Sequence, residues 1–300
     1  MLLPIINKII LPIFVLMTIG FLGDRLLDFD LRTLSRALFY IMSPATIFIK
    51  VSQSELRADD MLRLAALTVI HLLLMYGLSR AVFSGRRYEG NRRLLALGSS
   101  AYNSGNYGLP LMLLAFGDRG LSLMAIVFIT NAVMLNLGGT VLFVTDNGGN
   151  ALQGLRRLLT IPLIYALPLA LIVRALGVDL PPALAVPISR LDAAYIGVAL
   201  LTLGAQLSRS AVGAEMGVVA LVVALQNVVS PLVVWLLVRL FGFTGVAAQV
   251  LIVMGGLPTA INTFVLASEF DQDAELASRM VFWTTLFSAV TISILLVLVS

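Results

Sequence analysis

Ten apolar stretches, separated by short polar connections, run along the chain. Each is long enough for an α-helix to cross the hydrocarbon core of a bilayer, which takes about 20 apolar residues. The pattern therefore predicts an all-α integral membrane protein with ten transmembrane helices. The predicted spans are 5–23, 31–52, 61–83, 91–116, 119–144, 158–176, 181–207, 213–241, 246–270 and 274–299.

The composition agrees with lipid as the solvent of this chain. Of its 300 residues, 59% are hydrophobic and 12% are charged, and the mean hydropathy is +1.00. A soluble domain of this size could not bury so much apolar surface. The absence of cysteine and the single histidine exclude a disulfide framework, a thiol nucleophile and a multi-histidine metal cluster. We expect no cofactor.

The basic residues predict how the chain is oriented in the membrane. The net charge is +4, but arginine and lysine lie in short connections between apolar stretches, and no nucleic-acid-binding motif is present. Connections from odd to even spans carry 12 of the 20 basic residues. By the positive-inside rule this side is cytoplasmic, which predicts that both termini lie outside a cell (inner) membrane.

An internal repeat relates the two halves of the chain. Gly108-Leu109-Pro110 recurs as Gly256-Leu257-Pro258, and weaker matches share an offset of 148–155 residues. Because five spans per half is an odd number, the second half would enter the membrane inverted, as in many secondary transporters. We expect a first five-helix repeat, a cytoplasmic linker and a second five-helix repeat, over 1–144, 145–157 and 158–300.

Two spans are interrupted by residues that disfavour a plain lipid-embedded helix. Span 4 contains asparagine, glycine and proline over 102–110, and span 9 contains a matching segment over 255–262. A break at membrane depth is tolerated only where protein or a cavity covers it. Paired interruptions of this kind indicate the binding site of a transporter. The alternative is a pair of packing kinks whose asparagines bond between helices.

The residues at the interruptions favour an anionic ligand. Pro110 and Pro258 suit the first turn of a restarted half-helix, and such a start presents free N–H groups and about half a unit of positive charge. No aspartate or glutamate lies at either interruption. The predicted substrate-binding residues are Asn103, Asn106, Gly108, Pro110, Gly256, Pro258 and Asn262.

Two ionisable residues inside predicted spans are candidates for coupling transport to an ion. Asp192 lies near the outer end of span 7, and His71 lies in span 3. Intramembrane ionisable groups are functional candidates by default. The alternatives are an interfacial Asp192 paired with Arg190 and a hydrogen-bonded packing role for His71.

The segment N-S-G-N-Y-G-L-P-L (103–111) resembles the span-4 crossover of the auxin efflux carrier family. The run L-F-Y-I-M-S-P-A-T-I-F (38–48) resembles span 2 of that family, and 189–205, 226–231 and 256–267 resemble its second half. The resemblance implies two inverted five-helix repeats whose broken helices 4 and 9 cross at their prolines. It also implies a homodimer in which spans 1, 2, 6 and 7 form a scaffold and dimer contact, and the other spans form a moving bundle.

The same resemblance implies carboxylate substrates: auxin in plants, and malate, malonate or similar acids in bacteria. Asn103 would face the carboxylate, and Asp192 occupies a place where plant members also have an aspartate. The predicted function is a carrier, not an enzyme, that moves a small organic anion across the lipid bilayer by alternating access. The alternative within transport is a symporter coupled to a sodium ion or proton (Na+ or H+), as in the similar bile acid symporters.

An intramembrane enzyme is the alternative from another class. Ser104 lacks the glycine two residues before it that rhomboid-type proteases use, and Asp59-Asp60 has no second aspartate motif at prenyl-transferase spacing. No paired intramembrane aspartates are present. These absences favour the carrier.

Overall fold

The computed structural model describes residues 2–144, 159, 162–210, 213 and 215–300. The described residues form α-helices with no strand, which confirms the all-α class. The predicted linker over 145–157 lies outside the described residues. The helices are α1 Leu2–Leu27, α2 Leu31–Ser52, α3 Ala58–Val82, α4 Arg92–Gly98, α5 104–116, α6 118–144, α7 Leu163–Leu176, α8 Pro182–Ser208, α9 Met216–Leu240, α10 Gly245–Gly255, α11 Ile261–Glu269 and α12 Ala274–Val299.

Seven of these segments are long and apolar enough to cross a membrane: α1, α2, α3, the stretch Ser104–Leu137, α8, α9 and α12. Helices α7 and α10 are apolar but shorter. Gly117 has φ 64° and ψ −159°, which divides the stretch beginning at Ser104 into α5 and α6. This division falls between predicted spans 4 and 5.

The outer surface of α1 carries a continuous apolar stripe. Leu11, Val15, Ile19, Leu22 and Leu26 recur every three or four residues and are all exposed. A stripe with helical spacing covers one face of the helix. Water would make such a surface an association site, whereas hydrocarbon solvates it.

Proline positions explain where the helices widen. Each of the four described π-helical turns ends two residues before a proline. The turns are Ile6–Ile10, Leu38–Met42, Ser104–Gly108 and Leu225–Val229, and the prolines are Pro12, Pro44, Pro110 and Pro231. Proline lacks an N–H and clashes with the preceding turn. A local widening relieves the clash and keeps the helix continuous.

The described helices pack into two groups. Helices α1, α2, α7 and α8 pack mainly on one another and are called the four-helix group. The remaining helices, α3 to α6 and α9 to α12, form the eight-helix group. The groups meet where α2 contacts the α5–α6 region, where α8 contacts the turn Ser104–Gly108, and where the first residues of α1 contact α12 and the α5–α6 region.

Two glycines bring α1 and α8 into backbone contact. A Cβ built on Gly20 would lie 2.0 Å from Leu201 O, and one on Gly204 would lie 1.8 Å from Met17 O. Neither distance is physically possible, so the two helices can approach this closely only because these positions are glycine. Close approach through small residues is a common basis of helix association in membranes.

An ionic staple closes one end of the same helix pair. The Arg209 guanidinium donates to the buried Asp24 carboxylate at 2.7 and 3.0 Å, and to Asp28 and the Phe29 carbonyl. Hydrogen bonding to Asp24 raises the pKa of Arg209 above its ordinary value. Asp30 then begins α2, accepting hydrogen bonds from two backbone N–H groups of its first turn.

Candidate functional site

The two interruptions predicted from the sequence meet in the structure. Helix α4 ends at Gly98 and α10 ends at Gly255, and a short non-helical segment follows each. Tyr102 and Thr259 form an isolated antiparallel bridge between these segments. Asn103 N donates to Pro258 O at 2.7 Å, and Ala260 N donates to Ala101 O at 2.9 Å. The breaks thus satisfy part of each other's backbone.

Buried amides satisfy further backbone groups of the two breaks. Asn131 Nδ2 donates to Tyr102 O at 2.8 Å and to Ser104 Oγ at 2.7 Å. At the second break, Gln226 Nε2 donates to Leu257 O at 3.0 Å. Irregular backbone at membrane depth requires such partners, because lipid offers none.

Two threonines connect the breaks to neighbouring helices. Thr259 Oγ1 donates to Gly98 O at 2.6 Å, which caps the C-terminal end of α4 from the opposite break. Thr259 N donates to Thr284 Oγ1 on α12 at 3.0 Å. The second break is therefore held by both the first break and α12.

Donors remain free at the start of α5. The first intrahelical bonds run from Gly108 N to Asn103 O and from Leu109 N to Ser104 O. The N–H groups of Gly105 and Asn106 therefore have no intrahelical acceptor. Asn103 is 5% exposed, and its Nδ2 has no hydrogen-bond partner. These donors and the positive end of the helix dipole favour a negative ligand.

The predicted binding residues fall on both breaks. Asn103, Gly108, Pro110, Gly256 and Pro258 are buried. Asn106 and Asn262 are half-buried and lie in the first turns of α5 and α11. A Cβ on Gly108 would lie 2.7 Å from Met124 Cε and 3.0 Å from Leu257 Cδ1, so this glycine permits close packing of the two breaks.

The predicted position of the two prolines in the restarted half-helices is wrong. Helix α5 restarts at Ser104, so Pro110 lies in its second turn, just after the π-helical turn. Helix α11 restarts at Ile261, and Pro258 lies in the preceding non-helical segment. Pro258 instead contributes its carbonyl oxygen to the pairing of the breaks.

His71 contacts the second break through a serine. Its Nε2 lies 3.1 Å from Ser230 Oγ, and Ser230 Oγ donates to Gly255 O at 2.8 Å. Because the serine proton is used by Gly255, the serine accepts from Nε2–H, which leaves buried Nδ1 without a partner. The His71 and Tyr102 ring centroids are 5.7 Å apart, so the histidine contacts the first break directly and the second through Ser230.

Asp192 pairs with a residue that the sequence did not indicate. Its Oδ2 lies 3.1 Å from Lys50 Nζ on α2, so the alternative of a pairing with Arg190 is wrong. Lys50 also lies 2.9 Å from Asp118. This cluster lies between the two helix groups and not at the breaks.

Sequence reasoning missed the residues that hold the breaks. Asn131 and Gln226 are polar residues inside predicted apolar spans, which is a signal in the sequence, but their acceptors are backbone carbonyls that only the fold reveals. Thr259 carried no signal of its own beyond its place after Pro258. Within the described residues, no group of three His, Cys, Asp or Glu side chains could hold a metal ion.

An open cleft with a volume of about 870 Å³ lies elsewhere. It opens between the ends of α2, α7 and α8 and is lined by Ser52, Arg174 and Arg190 among others. No residue of 99–103 or 256–260 lines it. The breaks are closely packed in this conformation.

A helical protein with apolar outer faces and two paired helix breaks belongs to the class of multi-pass membrane transporters. A family described as membrane transport proteins matches residues 5–154 and 150–296. The chain belongs to this family, which confirms the assignment to the auxin efflux carriers made from the sequence. It is a transporter and not an enzyme.

Relatives match over nearly the full length. A protein of Rhizobium meliloti named "Putative malonate transporter" is 26% identical over 98% of this chain and 96% of its own length. A transporter of Methanocaldococcus jannaschii is 25% identical over 95% of this chain and 96% of its own. A transporter of Methanothermobacter thermautotrophicus is 25% identical over 93% and 91%.

Proposed function

We propose that this protein is a secondary transporter that moves a small organic anion, a mono- or dicarboxylate, across the cell membrane by alternating access. The observation that carries the proposal is the free donor set at the paired breaks. Asn103 Nδ2 is buried without a partner beside the unpaired N–H groups that begin α5. A carboxylate is the small organic group that best matches several neutral donors at a helix N-terminus.

The proposed architecture is ten crossings in two inverted repeats, over 1–144 and 158–300. In it, α4 with α5 and α10 with α11 are the two broken crossings, and α7 is a full crossing despite its length. The pairing of Tyr102 with Thr259 supports this arrangement, because these residues occupy related places in the two halves. The termini would lie outside the cell, and the protein would be a homodimer joined through the four-helix group.

The two helix groups suit the two parts of an alternating-access machine. The eight-helix group carries both breaks, and the four-helix group borders it through α2 and α8. Motion of one group against the other would expose the breaks to each side in turn. Export of a monovalent anion would gain about 2.3 kcal/mol per 100 mV of membrane potential.

The proposed substrate class includes malonate, malate and auxin-like acids. Malonate enters through the name of the Rhizobium meliloti relative, and the aromatic acid enters through the family resemblance. Neutral amide and backbone donors fit all of these acids, so the donor set defines the class and not the member.

A symporter coupled to Na+ or H+ is the second candidate. Asn131 Oδ1 and Gln226 Oε1 are buried acceptors without donors near the breaks, and amide oxygens suit a sodium ion. His71 is the candidate for a proton, since it contacts the first break directly and the second through Ser230, and its Nδ1 has no hydrogen-bond partner. Asp192 is a weaker candidate, because Lys50 neutralises it.

The test is uptake of radiolabelled malonate, malate and an aromatic carboxylate into proteoliposomes, with voltage, sodium and proton gradients imposed separately. Removing a hydrogen bond to a charged group costs about 1.5–3 kcal/mol, so Asn103→Ala is expected to weaken the apparent affinity for the transported acid by at least about tenfold. Asn136→Ala is the matched control, since that half-buried amide bonds only Ala132 O of its own helix.

Each outcome has a defined meaning. Saturable transport of one acid that is lost in Asn103→Ala and kept in Asn136→Ala supports the anion site at the breaks. Equal transport by both variants would move the site away from Asn103. If none of the acids moves under any gradient while the protein stays folded, the organic-anion proposal fails.

A further inference from the structure

A three-residue ionic cluster joins the two helix groups at one end of the molecule. Lys50 Nζ, near the end of α2, lies 2.9 Å from Asp118 Oδ1 and 3.1 Å from Asp192 Oδ2. Lys50 and Asp192 belong to the four-helix group, whereas Asp118 starts α6 of the eight-helix group. Ser122 Oγ on α6 donates to Asp118 O of its own helix at 2.9 Å and lies 3.2 Å from Lys50 O, so the same hydroxyl is also close to the α2 backbone.

The two halves of the cluster differ in exposure. The side chains of Lys50 and Asp192 are 17% and 15% exposed, whereas that of Asp118 is 79% exposed. If Asp118 withdraws, Lys50 stays neutralised by Asp192 and the Asp118 carboxylate is hydrated. An ion pair is hard to break when its separation leaves a buried charge unpaired. Separation of Asp118 from Lys50 leaves no such charge.

Gly117 sets the position of Asp118. Its φ of 64° and ψ of −159° lie in a region that only glycine adopts without strain. No atom lies within 4 Å of a Cβ built there, so the glycine is needed for the backbone angle and not for space. The turn between α5 and α6 presents Asp118 at its tip, against α2.

The cluster is too far from the breaks to bind the same small anion as Asn103. The 13 residues of α5, over 104–116, rise about 1.5 Å each, so Asp118 lies about 20 Å along the chain from Asn103. The matching cation at the opposite end, Arg209, pairs with Asp24 and Asp28 inside the four-helix group. The ionic cluster at Lys50 links the groups, whereas that at Arg209 does not.

We propose that Lys50, Asp118 and Asp192 form a latch that holds the two helix groups together at the α5–α6 end, and that the latch opens between Lys50 and Asp118. On the orientation predicted from the basic residues, this end faces the outside, so the latch would close the outer side. The proposal rests on the proposed function only in that the groups move relative to each other. The latch itself is tested without any substrate.

The chain lacks cysteine, which makes it a ready background for two spin labels. Asp59→Cys, in the first turn of α3, and Asp179→Cys, between α7 and α8, place one label on each group at exposed positions. The interspin distance distribution is measured by pulsed electron resonance in the full-length protein in lipid nanodiscs. Wild type, Asp118→Asn and Asp28→Asn are compared.

Asp28→Asn is the matched control. Asp28 is 95% exposed and lies 2.9 Å from Arg209, like Asp118 from Lys50, but Asp28 and Arg209 both belong to the four-helix group. Because an exposed ion pair contributes little to the stability of a contact, Asp118→Asn is expected to raise the fraction of molecules with the longer interspin distance by up to about fivefold. Asp28→Asn is expected to leave the distribution unchanged. Raising the salt concentration should shift the wild type toward Asp118→Asn.

A second background guards against an indirect effect of the substitution. In the double variant Lys50→Met with Asp192→Asn, the cluster has no cation, so adding Asp118→Asn is expected to change nothing further. The proposal is overturned if Asp118→Asn matches the wild type, if Asp28→Asn shifts the distances equally, or if Asp118→Asn acts in the double variant too. A distance shift in Asp118→Asn, without carboxylate transport by the wild type, would support the latch and refute the proposed function. Carboxylate transport without a distance shift would support the proposed function and refute the latch.

Discussion

Single amides do two different jobs around the paired breaks. Asn131 and Gln226 donate to backbone carbonyls that the breaks expose, so their amide nitrogens are already hydrogen-bonded within the protein. Asn103 supplies its backbone to the pairing of the breaks and keeps its side-chain nitrogen free. The same residue type is therefore a structural partner at one position and a candidate ligand at another, and the difference lies in the hydrogen bonds and not in the sequence.

Replacing Asn131 with leucine tests the structural role. The Tyr102 carbonyl would keep the Ser104 N–H but lose the Asn131 donor, and Ser104 Oγ would lose its Asn131 partner, at about 0.5–1.5 kcal/mol for each hydrogen bond. We expect a clearly lower midpoint of thermal unfolding in detergent. Asn136→Leu on the same helix should change it little, because Asn136 bonds its own helix. Equal midpoints for the two variants would show that Asn131 does not hold the break.

Elements pack here by two devices that suit a membrane. Where a proline would interrupt a transmembrane helix, a π-helical turn before the proline keeps the helix continuous, as before Pro12 and Pro44. Where two helices must touch, glycine removes the side chain, as at Gly20 and Gly204 between α1 and α8. The sequence also contains a small-residue pattern at Gly217, yet no atom of a neighbouring element approaches it within 4 Å. A small residue marks a contact only where a partner helix faces it.

Two glycines of α8 give a matched test of this packing. Gly204→Ala would place a methyl group 1.8 Å from the Met17 carbonyl, so the helices must separate, at a cost of about 1–3 kcal/mol or more. Gly197→Ala meets no atom within 4 Å and gains up to about 1 kcal/mol of helix propensity. Thermal unfolding in detergent should therefore shift in opposite directions. A Gly204→Ala variant as stable as the wild type would contradict the contact.

At the scale of the molecule, the helices divide into a group that holds both breaks and a group that borders it. The Arg209 staple and the glycine contact lie inside the four-helix group, and the paired breaks lie inside the eight-helix group. Strong contacts within the groups and a separable ionic cluster between them at Lys50 are the arrangement expected of two bodies that move past each other.

The predicted orientation is tested by labelling in intact cells. Asp59→Cys, at the α2–α3 end, should react with a membrane-impermeant maleimide added outside. Ser84→Cys, in the basic connection after α3, should react only after the membrane is permeabilised, because the positive-inside rule assigns that connection to the cytoplasm. Both positions are exposed in the structure. The reverse pattern of labelling would invert the proposed topology.

The sequence by itself determined that lipid surrounds the chain, that the protein is an all-α membrane transporter, and where its two helix breaks lie. Apolar stretches long enough to cross a membrane can be recognised from composition alone. The two breaks can be recognised by comparing the two halves of the chain. Asn103 also followed as a candidate ligand, since it is an amide donor inside the interrupted segment of span 4.

Only the tertiary structure decided which groups the polar side chains meet. The starts of α5 and α11 were misplaced, because the prolines were expected to begin them, whereas Pro110 is absorbed by a π-helical turn and Pro258 lies in the pairing segment. The alternative for Asp192 was a pairing with Arg190, two residues away, yet Asp192 pairs with Lys50 from another helix. Contacts between residues far apart in the chain depend on how helices pack, and periodicity along one chain carries no information about that.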